Sequence, residues 1–286
     1  MKEFVIMTDS GCDLSNELVN ELNIEVVPMS LFIDDKEYKH YPDCRELSMD
    51  EFYSKIQAGH IGKTSCVNIM DVENVMRKYA EKDMDILYLS FSTGMSSSWQ
   101  SAVLAANDIK TNYPDCDVRV IDTLSGSSGL GMLTYLAVKE KEKGKTLDET
   151  AEFVMKNRLN ISHYFMVEDL MYIQKAGRLS STSAVLGAII GVKPIFKLDD
   201  GGRVALVKKT KGKKNDIKYL VEEITKAKNS DVFFVCHAKA EKEVNELYNR
   251  IKELYPNATI KINEIGPVVG NNTGPGTIAV MFLGER

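Results

Sequence analysis

Cysteine is scarce in this sequence and never occurs in a metal-binding or redox spacing. The 286 residues include five cysteines without any Cys-x-x-Cys pair, namely Cys12, Cys44, Cys66, Cys116 and Cys236. His-x-His and His-Glu-x-x-His patterns are also missing. The sequence therefore predicts neither a disulfide framework nor a metal site, and we expect a cytoplasmic protein with reduced thiols.

Long apolar runs and an excess of basic residues are missing as well. No run approaches the roughly 18–20 apolar residues that span a bilayer, and the run Phe4–Met7 is too short for a signal peptide. The net charge of −5 argues against nucleic acid as a partner. A hydrophobic content of 44% is typical of a globular protein, here with one large or two medium domains.

A cluster of small hydroxyl residues is the most distinctive feature that is present. The apolar run Asp85–Leu89 indicates a buried strand, residues 90–98 hold five serines and one threonine, and Trp99–Ala106 is typical of a helix. Where a strand runs through small residues into a helix, free N–H and O–H groups converge on one point. The sequence therefore predicts a site for a phosphate, a carboxylate or an oxyanion.

Two further polar groups lie beside predicted strands or helices. Asp9 and Ser10 follow the first strand, where ligands bind in open α/β sheets. They are equally well explained as an Asx turn and helix cap, and both interpretations stay open. Thr64 and Ser65 form a second hydroxyl cluster, which we expect to cap a helix over about 71–80.

The order of predicted elements indicates an α/β fold. Strands alternate with helices through the first half, which predicts a largely parallel sheet flanked by helices, with a domain junction within 158–165. In the second half, Ile195–Leu198 and Val204–Val207 flank Asp199–Gly202, which predicts a hairpin. Residues 265–276 are rich in glycine, proline and asparagine, and predict a loop shaped around a ligand or a domain interface.

Two segments of the second half carry less specific signals. Residues 180–190 are small and apolar, and we expect them to pack closely against another element. Lysines recur over 208–214, which indicates either a solvated loop or a docking patch for an acidic partner or a lipid surface, with transient membrane contact.

Nucleotide binding and hydrolysis are poorly matched by the motifs. Gly62-Lys63-Thr64 has the ending of a P-loop, but Gln57 stands where that motif needs a glycine. No Gly-x-Ser-x-Gly elbow occurs. No serine is evidently paired with any of the four histidines, which are His40, His60, His163 and His237. A serine-dependent lipid or acyl-ester hydrolase remains the alternative function.

Binding of a small anion by neutral donors is the interpretation that remains. Hydroxyls and helix N-terminal amides can hold a carboxylate without a basic partner. The apolar remainder of such a ligand would supply most of the affinity. A long acyl chain buries about fifteen methylenes at about 0.8 kcal/mol each, or about 12 kcal/mol before the costs of association.

Several stretches together resemble a known family. They are Thr8-Asp9-Ser10, Thr64-Ser65, Ser92–Ala102, Gln174–Leu179 and Gly266–Gly276. In order and at fitting separations, they resemble the motifs of the DegV family of bacterial fatty-acid-binding proteins, over essentially the full chain. Ser92–Ala102 is similar to the family's S-S-G-L-S-G-T-Y-Q-S-A, and Gln174–Leu179 to its L-K-K-G-G-R-I.

The resemblance implies a two-domain α/β protein with a mainly parallel sheet in its first domain and one long-chain fatty acid buried between the domains. Residues 1–160 would carry the hydroxyl-rich loops, and residues 161–286 would cover the acyl chain. It implies a carrier with no catalytic residue and no cofactor besides the bound fatty acid. Some members present the acid to a separate fatty acid kinase, which makes an acyl phosphate for phospholipid synthesis.

The resemblance also assigns residues by position. Those implied to hold the carboxylate are Thr64 and Ser96, with Ser65, Thr93 and Ser97 close by, and Asn272 and Thr273 closing the clamp from the other end of the chain. The arginine linked to kinase docking is Arg178, with Arg203 as a helper.

Two departures from the family pattern concern the head-group site. Many members have a histidine before T-G-P-G where this chain has Asn272, which can donate a hydrogen bond but cannot change charge. The second glycine of the family's S-G-L-S-G-T is Ser97 here, which adds a hydroxyl beside the head group.

Overall fold

The architecture comes from a computed structural model that describes residues 2–180, 193–227 and 230–284. Apart from Ser180, the segment 180–190 that we expect to pack closely lies outside these residues. Within the described ranges, no helix combines the length and the apolar character that crossing a bilayer requires.

The first half contains seven strands and six α-helices in its described residues. The strands are β1 (Phe4–Asp9), β2 (Glu25–Val27), β3 (Met29–Ile33), β4 (Lys36–His40), β5 (Lys63–Ser65), β6 (Asp85–Ser90) and β7 (Val118–Asp122). The helices are α1 (Asn16–Glu21), α2 (Met49–Gln57), α3 (Ile69–Ala80), α4 (Ser98–Asn112), α5 (Ser128–Glu142) and α6 (Leu147–Asn157). A 3-10 turn, Ser10–Cys12, follows β1.

The second half continues the alternation. Its strands are β8 (Ile161–Met166), β9 (Lys193–Leu198), β10 (Val204–Thr210), β11 (Val232–His237), β12 (Thr259–Glu264) and β13 (Ile278–Leu283). Its helices are α7 (Leu170–Ala176), α8 (Lys213–Ile224), α9 (Glu241–Leu254) and α10 (Pro267–Thr273).

The strands form three sheets. The first has the order β2-β1-β6-β7 and is parallel throughout. A small antiparallel sheet, β4-β3-β5, lies beside it. The third has the order β10-β9-β8-β13-β11-β12, with only the β11–β12 pair parallel. The predicted α/β class, with a mainly parallel sheet in the first half, is confirmed, while the boundary between residues 160 and 161 stays a prediction.

The largest apolar core lies between the parallel and the six-stranded sheets, around α5. Over Ser128–Val138, α5 presents small or apolar residues on every face and is buried almost throughout, as expected of a helix enclosed by other elements. It packs on β1 and β6 of one sheet and on β8, β11 and β13 of the other. The two halves therefore share one core.

Of four local predictions, the structure confirms one, divides the strand region of a second into two strands, and contradicts the other two. The hairpin around Asp199–Gly202 is confirmed, since β9 and β10 pair through Leu198 and Val204. The stretch Glu25–Ile33, which indicates one strand region in the sequence, divides at Pro28 into β2 and β3, which belong to different sheets. A proline cannot donate to a ladder, so it suits the point where a strand changes sheet.

The other two predictions are wrong. Thr64 and Ser65 do not cap α3, because they lie in β5, and the cap is Asn68, whose Oδ1 accepts from Met70 N at 2.9 Å. The segment expected as a loop over 265–276 contains α10, which begins at Pro267. Proline is favoured in the first helical turn, where its missing N–H would have no partner in any case.

Candidate functional site

A cavity opens between the two halves, at the edge of the shared core. The empty space between its lining atoms is about 960 Å³, which includes the part that opens to solvent. Most of its lining is apolar and comes from both halves, for example Phe91, Phe165, Leu198, Val268 and Met281. The cavity therefore suits a ligand that is largely apolar.

Five of the seven predicted ligand-binding residues line this cavity. Thr64 and Ser65 reach it from β5, Ser96 from the loop before α4, and Asn272 and Thr273 from the last turn of α10. These elements are distant in sequence, and the fold brings their hydroxyl and amide groups to one region of an otherwise apolar wall.

The other two predicted residues are placed elsewhere. The Thr93 hydroxyl donates to Asp122 Oδ2 at 2.5 Å, and Thr93 N donates to Asp122 Oδ1 at 3.2 Å. Thr93 thus ties the serine-rich loop to the end of β7. The Ser97 side chain is exposed at the start of α4. Neither is among the described lining residues, so this geometry does not support their contact with a carboxylate.

The Ser96 hydroxyl is oriented by the first turn of α4. Its Oγ accepts from Ser98 N at 3.2 Å and lies 3.0 Å from Ser98 Oγ. Ser98 Oγ in turn accepts from Val67 N at 3.4 Å, just beyond β5. When Ser98 Oγ donates in its contact with Ser96 Oγ, the Ser96 proton is left for an anionic group in the cavity.

The polar groups of α10 are partly used within the helix. Asn272 Nδ2 donates to Val268 O at 2.8 Å, which leaves its second hydrogen for a ligand. Thr273 Oγ1 donates to Val269 O at 3.2 Å, so it can act as an acceptor. Asn271 Nδ2 donates to Gly62 O at 3.0 Å, and this bond holds the end of α10 against the segment that leads into β5.

The start of α10 is fixed by a buried carboxyl group of the first half. Asp13 Oδ1 accepts from Gly266 N at 2.9 Å, and Asp13 Oδ2 accepts from Ser127 Oγ at 2.5 Å. Tyr53 OH donates to Ile265 O at 2.6 Å beside them. Burial raises the pKa of Asp13 to about 8. The helix that carries Asn272 is therefore held in place by hydrogen bonds that cross from one half to the other.

Asp9 and Ser10 have structural roles. Asp9 Oδ1 accepts from Gly11 N at 3.1 Å, and Asp9 Oδ2 accepts from Phe91 N at 2.8 Å. Ser10 Oγ accepts from Met29 N at 2.9 Å. Of the two interpretations that the sequence left open, the Asx turn and cap is the one observed. Burial raises the pKa of Asp9 to about 7.

The two arginines assigned to docking lie on adjacent backbone segments. Arg178 O accepts from Val204 N at 3.3 Å, which places Arg178 beside Arg203. The Arg178 side chain lines the cavity and also an adjoining surface groove, together with Lys63 and Lys175. Arg178 Nε donates to Met95 O at 3.3 Å, so the guanidinium lies at the mouth of the cavity.

Polar lining residues that the sequence did not point to include Ser127, His163 and Thr277. Ser127 has φ 51° and ψ −148°, a conformation rarely adopted outside glycine. Its position in the small-residue loop after β7 was the only signal that could have identified it. His163, on β8, sits in an apolar run that indicates only a buried strand. Among the described residues, no group of three or more His, Cys, Asp or Glu side chains could hold a metal ion.

Comparison with known proteins gives consistent matches over the whole chain. A family model described as an uncharacterised protein of the DegV family matches residues 3–285. A DegV domain-containing protein of Clostridium perfringens is 36% identical over 288 aligned positions, covering 100% of this chain and 99% of the relative.

Solved structures also match this chain over nearly its full length. One is a DegV family protein of Thermus thermophilus described by its fatty acid binding, with 26% identity, a TM-score of 0.89, and coverage of 99% of this chain and 100% of the other. Another is a DegV lipid-binding protein of Thermotoga maritima, with 25% identity, a TM-score of 0.86 and the same coverage.

Proposed function

The chain belongs to the DegV family, and we propose on this premise that it binds a single long-chain fatty acid non-covalently in the cavity between its halves. The composition of that cavity is the observation that carries the proposal. Apolar side chains form most of its wall, and hydroxyl and amide groups gather at β5, before α4 and at the end of α10. Such a wall suits a long apolar chain with one small anionic head.

The two parts of the ligand would contribute differently to binding. Burial of the acyl chain supplies most of the free energy, at about 0.8 kcal/mol for each methylene. The carboxylate is held by the hydroxyls of Thr64 and Ser96 and by the Asn272 amide, with Ser65 and Thr273 beside them. Hydrogen bonds to a charged group contribute about 1.5–3 kcal/mol each. Neutral donors therefore suffice to fix the head group.

Native mass spectrometry of the purified protein tests this proposal. We expect one fatty acid per chain, removable by extraction with organic solvent and restored by adding a C16 or C18 acid. The same sample should release no product from a long-chain acyl ester and should not react with a serine-directed probe. A protein that takes up no fatty acid would contradict the proposal, and ester turnover blocked by the probe would favour the hydrolase instead.

We further propose that the protein acts as a carrier that presents its fatty acid to a separate fatty acid kinase. The resemblance implies this role. The position of Arg178 supports it, because this side chain lies at the cavity mouth and next to Arg203, where a partner could reach both the protein and the head group. In this role the chain itself carries out no catalysis.

Replacing Arg178 or Arg203 by alanine should reduce turnover by the kinase about tenfold, because arginine is enriched among the minority of interface residues whose truncation costs more than about 1 kcal/mol. The measurement is acyl phosphate formation with a fatty acid kinase from the same organism, beside the fatty acid affinity of each variant. The rate of acyl phosphate formation should fall by a larger factor than the affinity for the fatty acid. Equal losses in both would show that the arginines act on the lipid and not on the partner.

A further inference from the structure

The turn between β9 and β10 makes direct backbone contact with the serine-rich loop of the first half. Ser92 is fully buried at this contact. Its Oγ donates to Gly202 O at 2.9 Å and accepts from Gly94 N at 3.1 Å. One hydroxyl thus joins the turn of the second half to the backbone of the loop that carries Ser96.

Glycines on both sides make this approach close. A Cβ atom at Gly202 would lie 2.1 Å from Ser92 Oγ, and a Cβ atom at Gly94 would lie 2.4 Å from Gly201 O. Gly202 also has φ +67°, which disfavours other residues. Any side chain at either glycine would push the turn and the loop apart.

Ser92 also sets the path of the loop towards Ser96. Its carbonyl oxygen accepts from Met95 N at 3.1 Å and from Ser96 N at 3.0 Å. Its own N–H donates to Ser125 O at 2.9 Å, in the loop after β7. Ser92 therefore connects the backbone that carries the Ser96 hydroxyl to the β9–β10 turn.

The turn is a rigid partner for this contact. Asp199 Oδ1 accepts from Gly201 N at 3.0 Å and from Arg203 N at 2.9 Å, and Asp199 O accepts from Gly202 N at 2.8 Å. The residues that flank the turn, Leu198 and Val204, both line the cavity. The hairpin therefore touches the acyl site with its strands and the head-group loop with its turn.

We propose that Ser92 and Gly202 are positioning residues for the carboxylate site, so that the head group is bound firmly only while the β9–β10 turn is docked on the first half. The inference rests on the proposed fatty acid binding and deepens it. Because coupling between two events is reciprocal, a bound carboxylate also stabilises the docked turn. Head-group binding and contact between the halves are thus linked through one hydroxyl.

The test compares a fatty acid with the primary alcohol of equal chain length, which lacks the carboxylate. Ser92→Ala should weaken binding of the acid about tenfold and binding of the alcohol less than twofold. If Ser92→Ala folds poorly, Gly202→Ala can take its place, because it alters the same contact from the side of the turn. It should likewise weaken binding of the acid and change binding of the alcohol little. Ser54→Ala, at an exposed position of α2, is the matched control and should change neither affinity.

A double-mutant cycle then asks whether Ser92 acts through Ser96. If it does, Ser92→Ala adds little to Ser96→Ala, and the double variant binds the acid within threefold of Ser96→Ala alone. Amide exchange gives a second readout, because the acid should protect residues 199–203 in the wild type but not in Ser92→Ala.

The outcomes separate this inference from the proposed function. Equal weakening of acid and alcohol, or effects of Ser92→Ala and Ser96→Ala that multiply, would overturn the positioning role while leaving fatty acid binding in place. A wild-type protein that binds neither compound would overturn both.

Discussion

Replacing Thr64 and Ser96 together by alanine should weaken the binding of a long-chain fatty acid about 100-fold. Each hydroxyl lines the cavity, one from β5 and one from the loop before α4. A hydrogen bond to a charged group contributes about 1.5–3 kcal/mol, and 1.4 kcal/mol is a tenfold change in affinity. Most of the acyl-chain contribution remains, so binding is weakened but not lost.

The measurement can use the tryptophan that the chain itself supplies. Trp99 is the only tryptophan in the sequence and lies in the first turn of α4, close to Ser96. Its fluorescence should report titration with a C16 or C18 acid. Affinity for the matching alcohol should change less than threefold, and the Ser54→Ala control should behave like the wild type. An unchanged affinity for the acid in the double variant would place the head group elsewhere.

Replacing Asp13 by asparagine should change the pH dependence of stability by several kcal/mol. Burial raises the pKa of Asp13 from about 3.8 to about 8, so the folded protein holds this proton more tightly than the unfolded chain does. The resulting stability is complete below about pH 4 and is lost as the pH rises through 8. Each unit of pKa difference corresponds to about 1.36 kcal/mol.

Asparagine reproduces the protonated form of Asp13. Its oxygen can accept from Gly266 N, and its amide can donate to Ser127 Oγ, which now donates to Asp13. Because asparagine does not ionise, the variant should gain stability relative to the wild type as the pH rises. Between pH 5 and pH 9 we expect a relative gain of about 2–4 kcal/mol, the lower part of this range allowing for water that reaches the charged carboxylate.

Urea unfolding of both proteins from pH 5 to pH 9 measures this difference. Asp9 acts in the same direction, with a pKa raised to about 7 by burial. His40 acts in the opposite direction, because burial lowers its pKa to about 4 and its contribution is lost as the pH falls through that value. Both groups are common to the two proteins, so their own burial cancels in the comparison, while the repulsion by which the Asp9 charge also raises the pKa of Asp13 is part of the measured difference. A difference in unfolding free energy that stays constant with pH would show that Asp13 titrates normally.

The sequence predicts those parts of the fold that local signals determine. The Asp-Gly and Gly-Gly signals identify the hairpin around Asp199–Gly202. The serine-rich stretch could be placed between a strand and a helix, which is where Ser96 lies. In each case a pattern within a few residues decides the structure.

The rest depends on contacts between distant segments. The glycines and asparagines of α10 favour a loop by themselves, but Asp13, Tyr53 and Gly62 hold both of its ends. Strand β5 has only three residues, too few for a pattern, and exists because it pairs with β3. The Arg178 side chain reaches the cavity mouth only because its segment is bonded to β10. No local signal could have placed these residues.

The strand order of the six-stranded sheet has a consequence for synthesis of the protein. Strand β13 is the last of the sheet to be made, yet it lies between β8 and β11 and pairs with both. While the chain emerges from the ribosome, β8 and β11 are therefore synthesised before the strand that pairs with both of them. Ala279 and Met281 of this strand also complete the cavity wall. The nascent chain therefore completes the wall of this cavity in one late step, when β13 pairs with both of its neighbours.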